Sequence, residues 1–202
     1  MPTMAPHSRK GITVRKLRIV LCMFAPACLL GALVPASAPA ASDIYLQADG
    51  LLGESQADNY RDAIEVAAFS WGASSAAGGA GATTTAKPNF QDINISKYVD
   101  RSSPTLLTNL TTGKVIARAK LTFVKTGANP APFLRFCFTG VRVTGVQVSG
   151  SDGEDRPNES VSFSYSTVVE AYQRQNADGS LAPAVFGGWD LINKLQYGDP
   201  NC

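Results

Sequence analysis

Histidine is almost absent from this chain of 202 residues, and the single one, His7, lies near the N-terminus. Beyond it there is no imidazole for a Ser-His or Cys-His nucleophile pair, for a general base or for a zinc ligand. Cysteine is also scarce, with four in the whole sequence. These two shortages argue against nucleophilic triads and against a structural zinc site.

Sequence motifs of catalysis and of nucleotide binding are missing too. The sequence has no P-loop, no G-x-G-x-x-G stretch and no G-x-S-x-G nucleophile elbow. Two kinds of catalysis stay possible, a carboxylate pair that hydrolyses glycosides and a Ser-Lys dyad. The spacing of these residues along the sequence identifies no particular pair for either of them. We therefore expect that the protein is not an enzyme and that it uses no cofactor. We also expect it to have no catalytic, cofactor-binding or metal-binding residues.

Acidic residues are missing from the N-terminal region, where the basic residues are concentrated. Five of the 18 basic residues lie in the first 18 positions, whereas all 16 acidic residues lie beyond residue 42. Residues 42–202 therefore carry 13 basic and 16 acidic side chains, a net charge of −3, which argues against nucleic-acid binding. The acidic stretch 151–159 lacks the ligand order of a calcium loop and is interpreted as a solvated hairpin loop.

The N-terminal region has the organisation of an export signal. Its basic stretch ends at Arg18, and an apolar run occupies residues 19–34. Small residues at Ala38 and Ala40 fit the small-x-small pattern that precedes a cleavage site at Ala41.

An uncleaved membrane anchor is the alternative for this segment. The apolar run is about 16 residues and contains Pro26, whereas a span needs roughly 20 residues. We expect residues 1–41 to be a cleaved export signal and residues 42–202 to form one domain. The expected location is then secreted or periplasmic, and the membrane is a partner only through an uncleaved signal.

Cleavage of this signal removes Cys22 and Cys28 and leaves Cys137 and Cys202. Two thiols allow one internal bridge. Cys137 lies in an apolar strand pattern and Cys202 is the last residue of the sequence, so we favour a buried free thiol and a loose terminal one. In an oxidising compartment, an exposed Cys202 thiol could link subunits covalently.

Apolar residues alternate with polar ones in several segments, which predicts half-buried strands. The inward sets are Ile44, Leu46 and Ala48; Val115, Ala117, Ala119, Leu121 and Phe123; Leu134, Phe136 and Phe138; and Val161, Phe163, Tyr165 and Thr167. A change of phase near Ala67 and Ala68 predicts a bulge, and valine pairs after Gly140 and Gly145 predict a bent strand.

One helix interrupts these strands. Ser102 or Ser103 can cap it, Pro104 suits its first turn, and Gly113 suits its end. Its apolar stripe consists of Leu106, Leu107 and Leu110. The fold class is therefore mainly β, a closed barrel or a two-sheet sandwich with one short flanking α-helix.

Residues 73–85 contain only Ala, Gly, Ser and Thr. This composition predicts a flexible loop between two strands rather than a linker between domains. Long loops of compact domains are often functional, and a disordered insertion is the equal alternative.

The order of the segments resembles a known family. The matching segments, in order, are Asp43-Ile44-Tyr45-Leu46, Gly53-Glu54-Ser55, Phe69-Ser70-Trp71-Gly72, Phe90-Gln91-Asp92, Lys97, Asp100-Arg101-Ser102-Ser103-Pro104, Thr112-Gly113-Lys114, Ser149-Gly150-Ser151-Asp152-Gly153, Glu159-Ser160-Val161-Ser162, Asp178-Gly179-Ser180 and Gly188-Trp189-Asp190-Leu191. Together they resemble Hcp, the haemolysin-coregulated protein that forms the inner tube of type VI secretion.

The resemblance implies a two-sheet β-barrel with one flanking helix and a self-association into a homohexameric ring. It also implies rings stacked into a tube, a sheath and a spike as further partners, and small effector proteins in the lumen. In the family, the long loop between the second and third strands reaches a neighbouring ring. Residues 73–85 fall in that place, although they offer little charge or bulk for such a contact.

An export signal is unusual for this family, because the tube assembles in the cytoplasm. One alternative is an exported Hcp-like periplasmic or cell-surface binding module without tube function. The other is a start of translation further downstream, with cytoplasmic assembly. No Met follows Met23, so that start would need another codon, for example at Val34.

Overall fold

β-Branched and aromatic residues alternate with polar ones along most of the chain, and these segments form strands. We describe a computed structural model that covers residues 42–75, 87–127, 130–199 and 202, so the expected export signal lies outside the described residues. Its elements are β1 (Ser42–Ala48), β2 (Ile64–Glu65), β3 (Ala68–Ser70), β4 (Ala73–Ser75), β5 (Pro88–Phe90), β6 (Ile93–Tyr98), α1 (Ser103–Thr112), β7 (Ile116–Lys125), β8 (Ala131–Ser149), β9 (Asn158–Ser164), β10 (Thr167–Tyr172), β11 (Val185–Asp190) and β12 (Leu195–Gln196).

The strands pair in an antiparallel manner around the long strand β8. The main order is β12-β11-β10-β8-β7-β1-β2, while β8 also pairs with β9, β9 with β6, and β6 with β3. Strand β8 has 19 residues, and it bends where Gly140 takes a φ of 61° and where its register shifts between Val143 and Gly145. The predicted bent strand is confirmed.

The change of phase near Ala67 and Ala68, predicted as a bulge, is instead a change of pairing partner between β2 and β3. Strand β2 pairs with β1, and Val66 still donates its backbone N–H to Ile44 at 2.9 Å. The next residue, Ala67, donates to Ser96 of β6 at 2.8 Å, and β3 then pairs with β6.

The main core lies on the inward faces of these strands. Its largest members are aromatic: the Phe123 and Phe136 rings lie 6.2 Å apart, and the Phe138 and Tyr165 rings lie 4.9 Å apart. Each fully buried side chain of this size contributes about 1.5–3 kcal/mol to folding. The predicted inward sets around Phe136 and around Phe163 are thus confirmed.

The helix begins and ends where the capping residues predict. Ser102 is its N-cap, Pro104 lies in its first turn, and Gly113 ends it with a φ of 64°. Leu106 is fully buried against the main core, whereas Leu107 is exposed. The predicted apolar stripe is therefore narrower than the sequence indicated.

Two strand predictions need correction. At the start of β7, Ile116 is buried, whereas Val115 before it and Ala117 after it are exposed. The inward face of the strand changes phase before Ala119, which is buried as predicted. The predicted loop over residues 73–85 begins with a strand, since β4 pairs with β5, while residues 76–85 lie outside the described part.

The prediction of two free thiols is wrong. Cys137 and Cys202 form a disulfide that spans 65 residues of sequence, and Cys202 is buried. Sequence spacing could not place the end of the chain beside β8. Because Cys202 is engaged within its own chain, it is not the exposed thiol that would link subunits.

Two adjacent glycines in β11, Gly187 and Gly188, give a matched test of how closely the neighbouring backbone packs against this strand. A Cβ at Gly188 would lie 2.6 Å from the carbonyl oxygens of Tyr197 and Val168, whereas a Cβ at Gly187 would meet no atom within 4 Å. We expect Gly188→Ala to lower the free energy of unfolding by about 1–3 kcal/mol and Gly187→Ala to change it by less than about 0.5 kcal/mol. Urea denaturation of both variants checks this, and equal effects would contradict the packing.

Candidate functional site

Two kinds of site were sought first in the described residues, clusters of metal ligands and helices that could span a bilayer. No group of three or more His, Cys, Asp or Glu side chains in this part of the chain is arranged to hold a metal ion. None of the helices described has the length and apolar character needed to cross a bilayer. The candidate sites are therefore one buried polar network and two exposed surfaces.

The buried network is centred on Lys97 at the end of β6. Its ammonium group lies 2.8 Å from Asp100 and 2.8 Å from Glu159. It also donates to the Tyr98 carbonyl oxygen at 2.8 Å and to Ser103 Oγ at 3.1 Å. The Lys97 side chain is 0% exposed and that of Glu159 is 1% exposed, so the network is shielded from water.

Strand pairing brings these charges together. Lys97 lies directly opposite Glu159 in the β6–β9 register, and it continues the buried face of Ile93 and Ile95. A cross-strand pair of opposite charge stabilises the register, and both partners need further hydrogen bonds when they are buried. The alternation Ile93-x-Ile95-x-Lys97 was a signal for a buried lysine that the sequence analysis did not use.

The same network fixes the start of α1. Asp100 accepts from the Ser102 backbone N–H at 2.8 Å and from Ser102 Oγ at 2.5 Å, while Ser103 Oγ donates to Glu159 at 2.7 Å. The first turn of the helix is therefore joined to β6 and β9 by charge-assisted hydrogen bonds, which are stronger than neutral ones.

Lys97 and Ser103 form the kind of contact that a Ser-Lys dyad needs, but the surroundings do not suit catalysis. The Lys97 ammonium group is engaged in ion pairs with the Asp100 and Glu159 carboxylates, each at 2.8 Å. Substrate also has no route to a lysine that is fully buried. The arrangement is suited to holding elements together.

Arg101 extends this anchoring to the segment between β1 and β2. Its Nε donates to the Gly53 carbonyl oxygen at 2.5 Å, its guanidinium contacts Asp62 at 2.5 Å, and its backbone N–H donates to Glu54 at 3.1 Å. A Cβ at Gly53 would lie 2.2 Å from the Ala63 carbonyl oxygen, so only glycine fits there.

The first exposed surface is an apolar edge, which we define as the exposed large apolar residues of β10–β12 and the turn between β11 and β12. Its members are Tyr172, Val185, Phe186, Ile192 and Leu195. Val185 is 71% exposed and Ile192 is 70% exposed. Among the described strands, β12 pairs only with Trp189 and Asp190, so the outer backbone edge of residues 185–187 has no strand partner.

Asp190 shapes the turn in this edge. The Asn193 backbone and side chain donate to its carboxylate, each at 2.8 Å, and these bonds, with a further one from the Ile192 backbone, lower the pKa of Asp190. The carboxylate therefore stays ionised and holds the turn that presents Ile192 to solvent.

The second exposed surface is a groove of about 550 Å³ beside the β4–β5 pair. It is lined by the Phe90 and Trp189 rings, stacked with centroids 6.4 Å apart, and by the side chains of Lys87 and Lys194, among others. Behind it, Trp71 donates to the Tyr165 hydroxyl at 2.5 Å, and burial raises the pKa of that hydroxyl while the bond from Trp71 opposes the shift. The sequence analysis assigned no role to either surface.

The fold is shared with solved proteins of type VI secretion. A structure described as a type six secretion system protein is 29% identical, with a TM-score of 0.74, and the match covers 78% of this chain and 100% of that one. Hcp1 from Salmonella typhimurium is 33% identical with a TM-score of 0.64, over 78% of this chain and 99% of that one.

The sequence comparisons agree with the structural ones. The family described as "Type VI secretion system effector, Hcp" matches residues 45–172. Protein hcp1 of Pseudomonas aeruginosa is 37% identical over 113 residues, which are 54% of this chain and 69% of that protein. The chain belongs to the Hcp family, and the interpretation as a type VI secretion tube subunit of the Hcp type is confirmed.

Removal of the central charge tests the buried network. We expect Lys97→Met to lower the free energy of unfolding by about 3–5 kcal/mol, because it leaves two buried carboxylates without their cation. Arg118→Met is the control, since Arg118 pairs with Asp49 at 3.8 Å on the surface and such pairs contribute about 0–1 kcal/mol. Equal losses in urea denaturation would show that the buried network is no stronger than a surface pair.

Proposed function

We propose that this tube subunit assembles into a homohexameric ring and that rings stack into a tube which holds small effector proteins in its lumen. The single observation that carries the proposal, besides membership of the family, is the apolar edge. Exposed apolar patches on soluble domains mark interaction sites, and interface cores are enriched in aromatic and aliphatic side chains. The domain works in this proposal by packing against copies of itself and other proteins, without a catalytic step.

The proposal includes closure of the strands into the two-sheet barrel that the resemblance implies. The pairing around residues 64–70 supports it, because consecutive residues there donate to β1 and then to β6. The paired strands run from β2 through β1, β7, β8, β9 and β6 to β3, and the chain itself connects β2 to β3. The helix α1 flanks this barrel and is held by the buried network.

The apolar edge is the proposed contact between neighbouring subunits. An uncovered strand edge with apolar side chains would template aggregation in a free monomer, and natural proteins cover or blunt such edges. Burial against a second copy would cover Val185 and Phe186 and could pair the outer edge of β11. This contact accounts for the outer edge of residues 185–187, which contain neither a charged residue nor a proline.

Export and further partners complete the proposal. Residues 1–41 act as a cleaved signal, so that the domain of residues 42–202 becomes secreted or periplasmic. A sheath and a spike are the partners expected of the tube. An exported binding module without tube function is the competing role, and the oligomeric state separates the two.

The oligomeric state gives the first test. We expect the chain without its first 40 residues to run as a hexamer in size-exclusion chromatography with light scattering. Val185→Glu should shift it to smaller species, since a carboxylate in the apolar edge would be buried in the contact without a partner. A wild-type monomer at all concentrations would overturn the ring and favour the binding module.

Val148→Glu is the matched control for this substitution. Val148 is a strand valine that is 55% exposed, and it lies in β8 outside the apolar edge. We expect this variant to remain hexameric. Dissociation of both variants to the same extent would remove the assignment of the contact to β10–β12.

Intact mass tests the export signal. We expect the protein recovered outside the cytoplasm of the native host to lack about 40 N-terminal residues, as the cleavage pattern predicts. Ala38→Arg should block processing, because the position must be small for the signal peptidase. Recovery of the unprocessed chain from the wild type would contradict the cleaved signal.

A further inference from the structure

The outer face of β10 is covered by the end of the chain. Strand residues alternate between faces, and Val168 lies in the main core whereas Val169 and Ala171 face the other way. Both of these are nevertheless buried, in a separate cluster with Cys202, against which Cys137 and Tyr197 pack. We define the C-terminal strap as residues 197–199 and 202, the described residues that follow β12.

Specific contacts hold this C-terminal strap in place. The Tyr197 backbone N–H donates to the Gly188 carbonyl oxygen at 3.1 Å, and the Cys202 backbone N–H donates to the Asp199 carbonyl oxygen at 3.1 Å. The close approach of Tyr197 to Gly188 leaves no room for a Cβ there. The disulfide then joins Cys202 to Cys137 in β8.

The C-terminal strap lies beyond the residues that the family match includes. The family match ends at residue 172, so the disulfide connects Cys137, inside the match, to Cys202, beyond it. The cover over Val169 and Ala171 is thus supplied by a segment that the family match does not include.

We infer that the Cys137–Cys202 disulfide is a modification site completed outside the cytoplasm, and that this bond locks the C-terminal strap over β8 and β10. Protein disulfides form and persist in oxidising compartments and are rare in the cytosol. The inference rests on the proposed export, and it is independent of ring formation.

The bond forms by a balanced exchange with the disulfide of an exported thiol oxidoreductase. The thiolate of one cysteine attacks that disulfide and releases one thiolate of the oxidoreductase. The second cysteine, also as its thiolate, then attacks the mixed disulfide, which forms the Cys137–Cys202 bond and releases the other thiolate. The two cysteines lose two electrons and two protons, and the oxidoreductase is reduced to its dithiol.

A peptide map tests the compartment dependence. The full chain is expressed with its own N-terminal segment in a Gram-negative bacterium, and the periplasmic and cytoplasmic pools are alkylated before purification. We expect tryptic peptides 136–142 and 195–202 to be disulfide-linked in the periplasmic pool and alkylated in the cytoplasmic pool. Free thiols in the processed periplasmic protein, or the same bond in both pools, would overturn the inference.

Failure of export is distinguishable from failure of the strap. If no processed protein reaches the periplasm, the export proposal and the compartment part of this inference both fall. The cytoplasmic protein, oxidised with glutathione disulfide, then reports on the strap alone. Formation of the internal bond, with only monomer on a non-reducing denaturing gel, supports the lock, whereas intermolecular ladders overturn it.

Thermal unfolding measures what the lock contributes. Closing a loop of this length constrains the unfolded chain, and we expect reduction to lower the Tm of the oxidised protein by about 10 °C at fixed protein concentration. The double variant Cys137→Ser with Cys202→Ser is the control, and its Tm should not respond to reductant. An unchanged Tm in the reduced wild type would show that the C-terminal strap does not depend on the bond.

Discussion

One buried ammonium group joins elements that are far apart in the sequence. Lys97 has no access to water, and its charge is compensated by Asp100 near the start of α1 and by Glu159 on the opposite strand. Each of these charges would be costly to bury alone, so the three groups are stable in the interior only together. The pairing of β6 with β9, the position of the helix and, through the adjacent Arg101, the path of the segment between β1 and β2 all depend on this arrangement. The network therefore specifies how β6, β9 and the start of α1 lie relative to one another.

The sequence predicted the parts of the fold that depend on local rules. Alternation identified the inward residues of β8 and β9, and the capping residues Ser102 and Gly113 placed both ends of the helix. Local rules failed where distant parts of the chain decide the outcome. Ile116 is buried in place of Val115 because β7 changes its inward face, and the partner of Cys137 lies 65 residues away. The quoted family motifs contained Lys97 and Glu159, but neither spacing nor composition indicated that the two residues meet.

The distribution of polar and apolar groups indicates what the domain can do. The charged side chains that are least exposed to water, Lys97 and Glu159, bond to each other, so neither is free to act as an acid or a base. Among the described residues, β10–β12 and the intervening turn carry five exposed large apolar side chains, including Ile192, which Asp190 holds outward. A rigid interior together with an apolar edge is the distribution that a self-assembling subunit needs, since the interface must be presented in one orientation to close a ring.

The C-terminal strap connects oxidation of the chain to this same edge. It follows β12 directly, and β12 is the strand that pairs with the end of β11. A bond from Cys202 to β8 therefore restrains the chain on the far side of the edge strand, so that β12 is held between its pairing with β11 and a covalent anchor. In the reduced chain the covalent anchor is lost, while the pairing of β12 with β11 and the bond from the Tyr197 N–H to the Gly188 carbonyl oxygen remain. The disulfide therefore adds a covalent restraint next to the edge to which the proposed function assigns the contact between subunits.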